Sequence, residues 1–385
     1  MGMWFVPLSS VLDSHGLQSI KPFAFATSAA AAFISPLFFG AMADRHVAPV
    51  KVLRGLSLAT AAAMALAAYA MESGWNRWVV LATIQLHALC STPTWSIASA
   101  ICFARLTDSK REFGPVRAAA TLGWMAGCWV VSLLNADASP RAAYGGAITW
   151  LLVAAFAYGL PATNPPKTNG ALTLRERFGL DALSLLKNPN HRVVFITVTL
   201  LNIPMAAFYP CTPPHLAELG FTHATAWMTL GQVTEIISML GLAGILARWR
   251  LKWVFATGLA LCVLRFGLCV GNDGPFLLLG ITLHGFSYTL VFITAQIYLD
   301  ERVDDTWRAR AQALLSLLTG GVGNLLGYLG TGAWLWTNTT AKGGVHWPRF
   351  WMGITLAAAS VCLYFLCAYR GRAQETPQPA KSQAS

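Results

Sequence analysis

The chain has 385 residues, 55% of them hydrophobic and only 11% charged, with a mean hydropathy of +0.53. Soluble globular proteins carry about 25% charged residues, so this chain has too little polar surface to stay in water as a globule. The net charge is +11, but the Lys and Arg sit in short loops between apolar runs. No basic stripe interleaved with aromatics is present, so nucleic acid is not indicated as a partner.

Twelve apolar segments follow one another, near 3–13, 22–43, 50–71, 77–104, 114–134, 142–162, 192–214, 223–246, 252–271, 275–299, 308–336 and 348–369. A run of about 20 apolar residues crosses a bilayer as a helix. These segments lack the alternation of barrel strands, so the predicted fold class is an all-α integral membrane protein with twelve spans. The first segment, Met1 to Asp13, is too short to cross about 30 Å of hydrocarbon. Either the start codon is assigned late or the first helix is incomplete, and a truncated first helix is expected. It does not read as a signal peptide, because no positive n-region precedes it.

After the sixth segment comes the longest internal polar stretch, 164–191, opening Asn164-Pro165-Pro166-Lys167. It divides the chain into two six-helix bundles, 1–163 and 192–371, with a polar tail at 372–385. Paired halves of this kind are one architecture of secondary transporters. With both termini cytoplasmic, 21 of the 27 Lys and Arg fall in inside loops and five in outside loops, Arg265 lying within a span. That bias sets the orientation and points to a multi-pass protein of the plasma membrane, a bacterial inner membrane. Cys90, Cys102, Cys128, Cys262, Cys269, Cys362 and Cys367 lie in apolar runs with no CxxC pair or Cys/His cluster. They read as small buried hydrophobes, and no metal, cofactor or disulfide framework is expected. No nucleophile elbow, Walker A loop or HExxH is present, which argues against an enzyme or an ATP-driven pump.

The loop after the second segment reads Gly40-Ala41-Met42-Ala43-Asp44-Arg45. A Gly at the helix end and an Asp-Arg pair in the next turn resemble the signature loop of the major facilitator superfamily. There Gly permits close helix approach, and Asp44 with Arg45 can latch the cytoplasmic side. Further segments recur in order: Arg105-Leu106, Phe113-Gly114-Pro115-Val116-Arg117, Thr121-Leu122-Gly123-Trp124, Gly179 to Asn188, Gln232-Val233-Thr234-Glu235, Leu264-Arg265-Phe266 and Arg308-Ala309-Arg310-Ala311-Gln312. With them the chain resembles the nucleoside:proton symporter family. The resemblance implies proton-coupled transport of a nucleoside or related small polar solute across the lipid bilayer, and a monomer is the expected state.

The same resemblance implies the site. Arg117, Thr121 and Trp124 match a polar and aromatic set on the fifth span, and their spacing puts them on one helix face. Gln232 and Glu235 share a face of the eighth span, and His284 and Tyr288 stand where the family has aromatics in the tenth. Arg or amide groups can hydrogen-bond a sugar or base edge, and an aromatic ring can stack on a base. Thr289 occupies a position where the nucleoside permease has an acid, and Ile203-Pro204-Met205-Ala206-Ala207 stands where two amides are expected. These departures keep open a transporter of sugars or another metabolite, and a membrane sensor that does not transport. Glu235 and Arg265 are the clearest ionisable residues deep within spans, where such groups face an interior or water. Glu235 is the expected proton-coupling residue; a structural Glu235–Arg265 pair is the alternative. For Arg117 the alternatives are snorkelling or a gate, and for Trp124 and His284 interior packing.

Overall fold

Inside a bilayer every backbone polar group must find its partner within the protein. In the computed structural model, which describes residues 1–35, 48–103, 105, 109–160, 175, 180–341 and 343–370, helices do this almost throughout. Among the described residues β-pairing is confined to one isolated bridge, Thr339 with Val345. Asp44 and Arg45, most of the 164–191 connection and the 372–385 tail lie outside them.

The helices are α1 Gly2–Phe5, α2 Leu8–Ser14, α3 Lys21–Ser35, α4 Pro49–Glu72, α5 Arg77–Phe103, α6 Ser109–Leu133 and α7 Arg141–Gly159. They continue with α8 Pro189–Glu218, α9 Ala224–Arg248, α10 Leu251–Cys269, α11 Gly274–Arg302, α12 Arg310–Thr337 and α13 Trp347–Ala368. Eight of these (α4 and α7 to α13) are long and apolar enough to cross a membrane. The first apolar segment is split at Val6-Pro7 into α1 and α2, since proline cannot donate the amide a continuous helix needs. Local signals set other starts. Pro49 opens α4 after extended Ala48, and the Asn188 side chain accepts from the Asn190 and His191 amides at the start of α8, an N-cap that satisfies otherwise orphaned donors.

The buried apolar residues gather in two principal clusters. One draws mainly on residues between Trp4 and Ala147, the other mainly on residues between Ala182 and Tyr369. Packing repeats between them: α4 lies against α5 and α7, and α10 lies against α11 and α13. The two sets meet where α3 touches α12, α6 touches α9 and α2 touches α8. Two stretches widen to π-helix, Thr289–Ile293 in α11 and Leu317–Gly323 in α12, a distortion frequent at functional sites. Several exposed tryptophans lie at helix ends. Trp75, Trp78 and Trp336 lie at one side, and Trp249 and Trp253 at the other, beside the basic loops. Such rings favour the membrane–water interface.

Candidate functional site

Helices α9 and α11 approach closely because glycines face each other. A Cβ at Gly285 would collide with the Glu235 backbone and the Gly231 carbonyl. Gly231 in turn rests against Cβ and Cδ2 of His284. This contact, of the small-residue kind that lets membrane helices touch, brings Gln232 and Glu235 of α9 beside His284 and Tyr288 of α11. Together with α6 they enclose a cavity of about 520 Å³ between the two helical sets. Its wall contains Thr121, Trp124, Gln232, Glu235, His284 and Tyr288, six of the seven residues singled out for binding. Arg117 is on α6 two helical turns from Trp124, and its side chain is outside what the structure describes.

The wall is aromatic where α1, α6, α8 and α12 converge. Phe5 and Tyr209 meet edge to face at 5.2 Å, and Trp124 and Tyr209 lie 6.2 Å apart between ring centres. The Gln232 Nε2 donates to Tyr209 Oη at 3.3 Å. The Trp124 Nε1 is buried without a hydrogen-bond partner. Such rings offer stacking faces, and the amide, carboxylate and indole N–H offer polar edges, which together suit a flat heterocycle carrying polar groups. Among the described residues no group of three or more His, Cys, Asp and Glu is placed to hold a metal ion.

Sequence reading missed Tyr209, Tyr328, Asn202, Asn324 and Gln296, all of which line the cavity. Asn202 matters most, because an amide was sought at 203–207 and one is found one residue earlier. The signal available was an amide inside an otherwise apolar run. Thr289 is fully buried and is not part of the wall.

Arg265 is also outside the wall, 1% exposed behind His284. Its guanidinium lies over Phe208 at 4.4 Å and Phe266 at 4.5 Å, and its Nη1 donates to His284 Nδ1. Among the described residues no ion pair joins it to Glu235, so the alternative of a Glu235–Arg265 pair is not what forms. The physical reason is the ring of Phe208, which covers the guanidinium and stacks on His284 at 4.2 Å.

The lining extends along α11 and α12 to Gln296 and Leu315, toward the basic loops. The opposite face is closed by bonds between the two helical sets. Asp137 Oδ1 accepts from the Thr225 amide at 2.7 Å and from Ser132 Oγ at 2.9 Å. Ser132 Oγ accepts from the Ala226 amide at 3.0 Å, and Trp129 Nε1 donates to Thr229 Oγ1 at 3.1 Å. The connection after α6 thus caps the start of α9. Ser9 Oγ also donates to the Pro210 carbonyl.

The model of the family described as nucleoside H+ symporter matches residues 1–374. The chain belongs to the nucleoside H+ symporter family. It is 35% identical over 341 residues to YegT of Escherichia coli (strain K12), covering 85% of this chain and 79% of YegT. It is 23% identical to the xanthosine permease of the same organism, covering 96% of this chain and 92% of the permease. Among solved structures, a point variant of the nucleoside transporter NupG superposes with a TM-score of 0.87 at 22% identity, covering 96% of both chains. The fold is therefore that of this transporter, and membership of the family makes the protein a membrane transporter and not an enzyme.

Proposed function

We propose that this chain imports nucleosides together with protons by alternating access. The reading takes the fold to be a twelve-span major-facilitator architecture, with bundles 1–163 and 192–371 rocking about the central cavity. The observation that carries it is the convergence of Thr121, Trp124, Gln232, Glu235, His284 and Tyr288 on one cavity in a member of this family. The protein works as a monomer in a bacterial inner membrane, both termini cytoplasmic. The described arrangement is then the inward-facing one, closed outside by the Asp137 cap. Thr121, Gln232 and the neighbouring amides bond ribose hydroxyls and the base edge, while Trp124 and Tyr288 stack on the base. Asp44 and Arg45 serve the cytoplasmic gate.

Uptake of labelled uridine, adenosine and xanthosine, beside a sugar panel, in a host lacking nucleoside uptake tests the reading. Saturable uptake of at least one nucleoside, abolished by a protonophore, is expected. Accumulation of a sugar with no nucleoside uptake or competition would replace it with the metabolite-transporter reading.

A further inference from the structure

His284 is held on almost every side. Its Cβ and Cδ2 lie against Gly231, one ring face stacks on Phe208 at 4.2 Å and 12°, and Nδ1 bonds to Arg265. The edge left over carries Nε2, and His284 is part of the cavity wall. A guanidinium has donors and no acceptor. While the Arg265 bond is made, His284 Nδ1 must accept and so carries no proton. A neutral imidazole keeps its one proton on the other nitrogen. We propose that Arg265 is a positioning residue that fixes His284 in its Nε2–H form, so that His284 offers the cavity a donor and requires an acceptor on the solute.

The inference rests on the nucleoside reading for the identity of that acceptor, which is a carbonyl oxygen of an oxo-base. Several features make the lock firm. Arg265 is 1% exposed, its planar head is clamped between Phe208 and Phe266, and its Nη1 also approaches Met205 Sδ at 3.6 Å. It therefore cannot swing to the cavity and act on the solute directly. Among the described residues a guanidinium so enclosed has one strong acceptor, the imidazole, and leaving that bond unmade would strand a buried charge. A histidine without this arginine could rotate or change tautomer and present either a donor or an acceptor. The specificity thus comes from a residue that never touches the solute.

The test uses the full chain in lipid nanodiscs, with ¹⁵N-labelled histidine and calorimetric binding of uridine, 2-thiouridine and 4-thiouridine. The thiocarbonyl is the weaker acceptor. The His284 signals are assigned by their loss in His284→Gln. The wild type should show His284 in the Nε2–H form alone, and should prefer uridine to one of the thio analogues by about 3- to 10-fold, the range of one hydrogen bond. Arg265→Met should mix the tautomers and reduce that preference to within about twofold. Arg265→Lys, which keeps a donor, should restore both. An Nδ1–H form in the wild type overturns the proposal, as does an unchanged uridine preference in Arg265→Met. If no nucleoside binds but the Nε2–H form is present, the nucleoside reading fails while the lock stands. Should Arg265→Met not fold, the wild-type tautomer still decides.

Discussion

Among the described residues of the cavity wall Glu235 is the sole acid, and its place one turn from Gln232 would join proton and solute binding in one pocket under the proposed function. A carboxyl that is neutral in one state and charged in another changes solute affinity, and by linkage the solute changes its proton affinity. Glu235→Gln keeps the shape and removes the titration. We expect this variant to exchange nucleoside in counterflow and to lose accumulation driven by a pH gradient, both measured in proteoliposomes. Accumulation at the wild-type rate would refute the role. The proposed contribution of Trp124 is different and comes through its ring face. Trp124→Ala should weaken nucleoside binding by about 1–3 kcal/mol, the value of a base–aromatic stack, and leave any sugar binding nearly unchanged. Equal losses in calorimetry for both classes would make Trp124 a packing residue.

At the scale of elements, the α9–α11 crossing decides whether the pocket exists, and Gly285 decides the crossing. A valine there must push Glu235 and His284 apart. Overpacking of this kind costs about 1–3 kcal/mol, so Gly285→Val should lower the melting temperature in detergent and abolish uridine-induced stabilisation. Retained stabilisation would show that the pocket does not depend on the crossing. Helix positions were legible in the sequence because a bilayer demands apolar length: Leu251–Cys269 and Trp347–Ala368 fall within a few residues of the segments read from hydropathy. Helix faces were legible too, since three- and four-residue spacing put Gln232 with Glu235 and His284 with Tyr288. What could not be read was how faces turn toward one another. A pair between Arg265 and Glu235 was the alternative that spacing left open, and Arg265 meets His284 instead, because Phe208 stands over it. Nor does hydropathy report breaks such as Val6-Pro7, or π-helical widening at Thr289–Ile293, since neither changes how apolar a window is.

For the whole molecule, the proposed alternating access requires the closure at the Asp137 end to come apart once per cycle. That closure is a helix cap crossing between the two helical sets, Asp137 on the Thr225 amide. A disulfide between Asp137→Cys and Thr225→Cys should therefore stop uptake on oxidation and restore it on reduction. Continued uptake with the cross-link verified by mass spectrometry would place the moving seam elsewhere. The helices also set a length scale for the surrounding lipid. Helices α7 and α10 are 19 residues each, about 28 Å at 1.5 Å per residue, and Trp249 and Trp253 fix one end of that band. Helices this short have no spare length to tilt. In a bilayer of longer acyl chains the membrane itself must thin around them, at a cost that grows with each ångström of mismatch. A rocking motion that tilts either bundle deepens the mismatch, so acyl-chain length becomes a brake on turnover independent of substrate and proton supply.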